Sequence, residues 1–192
     1  MDAVAPSYVS PMFSYIFDEL NFVNNPYLMR GPEQTGSSYN DGRLKKQNKG
    51  LFLSDLFVDV NSSSIWRCSR KIFNKDTIEY SKLHLSNTSV LSTNFSSILY
   101  SYYENADHYK SHRDSSVVTV LFWFFQEPKR FYGGDLKFDD TGEVIKVENN
   151  TMIMFPSWAN HSVSEVKMND RFLNKKLGRY CISMFLNIVH PT

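Results

Sequence analysis

The sequence predicts an α+β fold, with helices of the N-terminal half packed on one face of a sandwich or barrel of short strands. Three observations predict it. Aromatic residues make up 15% of the chain, with 15 Phe and 11 Tyr, and such residues favour pleated, half-buried surfaces. Beyond about Phe95 the sequence breaks into short β-branched and aromatic segments separated by turn signals. Before that point, apolar residues recur at helical rather than alternating spacing. At 192 residues the chain suits one domain with a substantial core: residues 1–94 as helical and loop support, and 95–189 as the strand-rich core.

Taken in order, Met12-Phe13, Ile16-Phe17 and Leu20 recur at helical spacing until Asn24-Asn25-Pro26 ends the pattern, which predicts a first helix. Gly31 to Gly50 is rich in Gly, Ser, Asn, Gln and Lys and has no apolar period, which predicts a long loop. Its cations Arg43, Lys45, Lys46 and Lys49 read as solvated. From Ser63 to Phe73, Ile65, Trp66, Cys68 and Ile72 form a buried stripe behind an N-cap at Ser62 or Ser63, giving a second helix. Strands are predicted at Ile98 to Tyr103, Val117 to Phe125, Leu136 to Phe138, Val144 to Val147, Met152 to Phe155, His161 to Val166 and Arg179 to Val189. Gly133-Gly134, Thr141-Gly142, Asn149-Asn150 and Pro156 punctuate them.

Charge and cysteine usage exclude several classes. The net charge is +1 and the basic residues are scattered, so nothing resembles the footprint that holds a phosphate backbone, and nucleic acid is not expected as a partner. Cys68 and Cys181 are distant in sequence and neither belongs to a CxxC pair, so neither a disulfide framework nor a cysteine–zinc site is predicted. No basic-then-apolar leader and no membrane-length apolar run is visible. The expectation is a soluble, cytoplasmic protein with no membrane association; its oligomeric state is open.

His112 and Asp114 stand two residues apart, which in an extended segment places both side chains on one face. A third ligand is available in His161, which follows the Phe155-Pro156 turn at the start of a predicted strand. Two histidines and one carboxylate leave three adjacent positions open on an octahedral iron, room for an oxidisable co-substrate and O₂. Zinc accepts the same ligands. His84, His108 and His190 lack partners at ligand spacing and read as structural or exposed, and Trp123 and Trp158 as core or rim.

The run from Tyr103 to Asp114 resembles the segment that leads into the metal site of the prolyl 4-hydroxylase-like branch of the iron(II)/2-oxoglutarate-dependent oxygenases. It departs at Ala106, where that family usually has Gly. In the right order follow Phe131-Tyr132-Gly133-Gly134-Asp135-Leu136-Lys137-Phe138, and then Met154-Phe155-Pro156 with His161-Ser162-Val163. The resemblance covers about residues 95 to 189. It implies a double-stranded β-helix (jelly-roll) core and a dioxygenase holding Fe(II) on His112, Asp114 and His161. It further implies 2-oxoglutarate and O₂ as co-substrates, ascorbate as an accessory reductant, and release of succinate and CO₂ as a substrate C–H bond is hydroxylated.

The family also requires a basic residue on its last core strand to hold the 5-carboxylate of 2-oxoglutarate. Arg171 has the more usual separation from His161 but reads as loop. Arg179 opens a strand in which Arg179, Cys181 and Ser183 share one face, so Arg179 is the expected anchor, with Leu173 to Gly178 as a loop insertion. Cys181 stands where the family often has Ser or Thr. Tyr103 and Tyr109 match family tyrosines near the co-substrate, and Thr119 and Leu121 are expected to line the same pocket. The implied substrate is a prolyl residue in a peptide or protein, or a small molecule, chosen by loops such as Thr35 to Gly50 and Phe125 to Phe131. Two other readings stay open: a non-catalytic jelly-roll module that keeps the metal site, and a zinc hydrolase using the same ligands.

Overall fold

The computed structural model describes residues 13–36, 39–40, 42–85, 90 and 93–189. Met12 and His190 lie outside the described residues, as does the side chain of His84. Helix α1 spans Phe13–Val23. Ile16, Leu20 and Val23, three and four residues apart, form its buried face. Helix α2 spans Ser64–Ser69, and the Ser63 hydroxyl caps it by accepting a hydrogen bond from the Trp66 amide at 2.9 Å. The Glu19 carboxylate of α1 accepts from the Ser63 hydroxyl and from the Ser64 amide at 2.5 Å. One side chain thereby ties the first helix to the positive end of the second. A 3₁₀ turn at Arg70–Phe73 completes the predicted second helix. A further helix, α3 at Lys75–His84, was not expected, because its apolar residues are too sparse to form a stripe; the Asn74 side chain starts it by accepting from the Thr77 amide.

The segment expected as a long loop contains four short strands: β1 (Tyr39–Asn40), β2 (Arg43–Leu44), β3 (Lys46–Gln47) and β4 (Lys49–Phe52). Strands of two residues carry no readable period, and here pairing is supplied by neighbouring backbone rather than by apolar side chains. The core strands follow as β5 (Phe95–Tyr103), β6 (His108–His112), β7 (Val118–Phe124), β8 (Phe131–Tyr132), β9 (Leu136–Phe138), β10 (Val144–Ile145), β11 (Thr151–Pro156), β12 (His161–Val163), β13 (Lys167–Met168) and β14 (Arg179–Asn187). The predicted strand after Val144 stops early because the Asp135 carboxylate captures both the Val147 amide and the Lys146 ammonium, at 3.0 and 2.8 Å.

Two five-stranded antiparallel sheets form the double-stranded β-helix, in the orders β11-β7-β14-β5-β4 and β10-β9-β12-β6-β3. The N-terminal helices cover the outer face of the first sheet. Alternation along β14 sorts the two sides: Tyr180, Ile182, Met184 and Leu186 pack toward the helices with Ile16, Leu20, Ile65 and Cys68, while Arg179, Cys181, Ser183 and Phe185 face the space between the sheets. All seven residues of β7 are buried because both of its faces are covered. Cys68 and Cys181 are free and buried. No helix among the described residues is long and apolar enough to cross a membrane.

Candidate metal centre and its cavity

His112 closes β6 and His161 opens β12, and the register places them opposite each other, so their rings meet with centroids 4.2 Å apart. Asp114 lies two residues past the end of β6, held by its amide donating to the Ser157 carbonyl at 3.1 Å. Its two oxygens divide between the histidines: Oδ1 is 3.7 Å from His112 Nε2 and Oδ2 is 3.6 Å from His161 Nε2. The ligand atoms of all three residues lie within 4.8 Å of one another.

The imidazoles are preset for a metal. His112 Nδ1 is 2.9 Å from the Lys110 carbonyl, and His161 Nδ1 is 2.9 Å from the Ala159 carbonyl. A carbonyl only accepts, so each Nδ1 is the donor there and each Nε2 is the nitrogen turned toward Asp114. Burial, reinforced by neighbouring His161, pushes the His112 pKa down to about 3, which keeps that ring neutral. Burial also raises the Asp114 carboxyl, against the opposing pull of His161 and of a hydrogen bond from Thr119. That bond, Thr119 Oγ1 to Asp114 Oδ2 at 2.6 Å, continues through the hydroxyls of Ser157 and Ser116 at 2.8 and 2.6 Å. Thr119 therefore does not line the cavity, as the sequence suggested. It orients the carboxylate, a role that strand alternation alone does not reveal, while Leu121, two residues on, does line it.

The cavity between the sheets has a volume of about 490 Å³, counting its open mouth. At its inner end Arg179 is fully buried, and none of its guanidinium nitrogens has a hydrogen-bond partner. The register sets Arg179 opposite Tyr103, whose ring lies 4.8 Å from the guanidinium, with Trp123 at 5.7 Å. Burial pushes the Tyr103 phenol up, partly offset by Arg179, so it stays protonated and able to donate. Gly134 makes room for this arginine: a Cβ there would stand 2.7 Å from Arg179 Cδ, and its φ of 71° also disfavours a side chain. Arg171 sits in an exposed 3₁₀ turn against Phe172, away from the cavity. Tyr109 stacks on His112 with ring centroids 3.5 Å apart. Trp123 belongs to the core between the sheets, and Trp158 is 59% exposed. His108 is half-buried and bonds the Ala106 carbonyl.

One residue of the cavity wall was misread from sequence. Lys46, expected to be solvated, is 3% exposed and lines the cavity beside Tyr109 and His112. As the edge strand of the second sheet, β3 pairs Lys46 with Tyr109 and turns its side chain inward. Burial lowers its pKa to about 8, with Asp114 pulling the other way, so it remains a cation at neutral pH. Four cations in a polar stretch gave no sign of which one points inward.

The donor set fits a divalent metal, since two imidazole nitrogens and one carboxylate converge. The unpartnered guanidinium fits a carboxylate delivered into the same cavity.

Residues 98–187 match the family model described as the 2OG-Fe(II) oxygenase superfamily. Among solved structures, a prolyl-4-hydroxylase from Pseudomonas putida aligns with a TM-score of 0.62 at 13% identity, covering 97% of this chain and 91% of its own. An oxidoreductase of the 2OG-Fe(II) oxygenase family from Burkholderia pseudomallei aligns with a TM-score of 0.58 at 13% identity, covering 96% and 84%. At these identities the likeness is one of fold. No curated protein matches the chain.

Proposed function

We propose that this chain, whose residues 98–187 match the model of the 2OG-Fe(II) oxygenase superfamily, is a working dioxygenase that hydroxylates a C–H bond. His112, Asp114 and His161 hold Fe(II), and Arg179 holds the 5-carboxylate of 2-oxoglutarate. The observation that carries this reading is Arg179, a buried guanidinium without a hydrogen-bond partner, in the cavity where the three ligands converge. A buried charge left unpaired is destabilising, and a dicarboxylate removes that penalty by accepting its forked N–H groups.

When bound, iron and 2-oxoglutarate would supply the oxidising power, one atom of O₂ entering succinate as CO₂ leaves and the other entering the substrate as hydroxyl. Everything else falls to the protein. The Lys110 and Ala159 carbonyls keep both Nε2 atoms available, Thr119 fixes the carboxylate, and Tyr103 adds a phenolic donor beside Arg179. Leu121, Val163 and Phe185 exclude water from the cavity. Tyr109, stacked on His112, is placed to contact the co-substrate. A prolyl residue in a peptide is the first substrate to test, with ascorbate as the reductant that maintains Fe(II). The chain would act as one domain, with helices α1 to α3 supporting the core.

Anaerobic addition of Fe(II) and 2-oxoglutarate should produce the visible charge-transfer band of the chelate, and admission of air should yield succinate. Alanine at His112, Asp114 or His161 should abolish both. Arg179→Met should raise the KM for 2-oxoglutarate roughly tenfold or more, the scale of a charged hydrogen-bonding pair. Full succinate formation by any of the three alanine variants, or no band in the unmodified protein, overturns the proposal.

A further inference from the structure

The second cation of the cavity has no place in the scheme above. Lys46 is 3% exposed and its ammonium makes one hydrogen bond among the described residues, donating to the Thr35 carbonyl at 2.8 Å. An ammonium has three N–H donors, so two remain. Lys46 shares an inward-facing row of the second sheet with Tyr109 and Val163, and it acts electrostatically on both His112 and Asp114.

Charge balance defines what is missing. The charged side chains lining the cavity, apart from the histidines, are Lys46, Arg179 and Asp114, two cations against one carboxylate. Adding a divalent metal and a dianionic co-substrate changes nothing, because they cancel each other. Asp114, which acts on Lys46, is the one carboxylate against two cations, so one positive charge is left over. A connected outer cavity of about 790 Å³ shares Gly36, Leu99, Tyr109, Asp114 and Phe185 with the inner one. It adds a further cation, Arg113, whose Nε donates to Asn160 Oδ1 at 3.1 Å, and no further carboxylate. Arg113 is exposed and also acts on the Asp140 carboxylate, so the excess charge that attracts an anionic ligand lies at Lys46 in the inner cavity.

We infer that the substrate carries a carboxylate close to the carbon that is oxidised, and that Lys46 receives it, making Lys46 a specificity-determining residue. The inference rests on the proposed dioxygenase activity. A single negative charge closes the balance, whereas a phosphate dianion would overshoot it. A neutral prolyl ring within a peptide chain would leave that excess charge and two ammonium donors unanswered, so an acid is favoured over the corresponding amide.

The test uses the full chain loaded anaerobically with Fe(II) and 2-oxoglutarate. The probes are N-acetyl-L-proline and N-acetyl-L-leucine, each against its own amide. Perturbation of the chelate band and the rise in Tm are read as functions of probe concentration. At least one acid should act at concentrations about tenfold or more below its amide, as expected for a charged hydrogen bond. Lys46→Met should erase that preference and Lys46→Arg should restore part of it, which a merely structural lysine would not do. Equal response to acid and amide, no response to either acid, or a preference that survives Lys46→Met overturns the inference. Loss of the chelate band itself in Lys46→Met assigns the lysine to the co-substrate's carboxylate and also overturns it. Should Lys46→Met show no folding transition, the acid–amide comparison in the unmodified protein decides alone. Absence of the band in the unmodified protein instead sinks the proposed activity.

Discussion

At the scale of single residues, the site depends on groups that never touch a ligand. Gly134 is the clearest case, because its missing side chain is occupied by Arg179 Cδ. Gly134→Ala should displace the guanidinium and raise the KM for 2-oxoglutarate about tenfold, since a charged hydrogen bond contributes roughly 1.5–3 kcal/mol. The kcat should change less, and steady-state succinate release checks both. His112 sets a pH dependence in the metal-free protein. Its folded-state pKa, pushed down to about 3 by burial and by His161, lies below the value of about 6.5 expected when unfolded. The unfolded chain therefore binds the extra proton first as pH falls. The stability is fully present above about pH 6.5 and is lost progressively toward pH 3. His112→Gln should flatten that acid arm of a Tm-against-pH profile, and an unchanged profile counts against the assigned burial.

At the scale of elements, the readable parts were those with a strong period or a fixed turn chemistry. The stripe of α1, the Ser63 cap and the alternation of β14 were visible because burial on one face repeats at a known spacing. The His112, Asp114 and His161 group was legible through the spacing of His112 and Asp114 and the ordered motifs that flank the three residues. What escaped were elements formed by pairing alone: β3 completes a sheet edge with Lys46 and Gln47, β4 is only four residues long and buries Leu51 where it pairs with β5, and β6 carries no apolar alternation, with Lys110 exposed and His112 buried. Lys46 was misread for that reason, since its direction is set by the partner Tyr109 and not by its own neighbours in sequence. The turn into β6 shows a local conflict instead. Ala106 adopts a φ of 68°, a left-handed conformation that penalises a Cβ by roughly 1–2 kcal/mol, of which a glycine's extra unfolded-state entropy returns about 0.4–1 kcal/mol. Ala106→Gly should stabilise the protein by about 0.5 kcal/mol, raising Tm by about 1–2 °C for a chain of this size, as calorimetry can measure.

At the scale of the whole molecule, the two sheets are unequal partners. The first is clad by helices outside and carries Arg179, Tyr103 and Leu121 inside. The second brings both histidines and Lys46 on strands no longer than five residues, and it leans on the first for its packing. In the proposed function a metal alone would engage the second sheet and the Asp114 segment after it. A co-substrate would engage both sheets, because it would reach from the metal ligands to Arg179. Fe(II) with 2-oxoglutarate should therefore raise Tm, under anaerobic conditions, by clearly more than Fe(II) alone. At a hundredfold excess over Kd the expected stabilisation is about 2.7 kcal/mol, and in Arg179→Met most of the increment due to 2-oxoglutarate should vanish.

The arrangement of donors across the two layers has a mechanical consequence. A molecule clamped at one end by a metal on one wall and at the other by a guanidinium on the opposite wall acts as a strut. In the proposed function such a molecule would resist spreading of the walls while it is in place, and its conversion to succinate would replace a two-point hold on the metal by a single carboxylate. Loosening of the cleft would thereby be timed to the consumption of the strut, so that opening for departure would follow the chemistry.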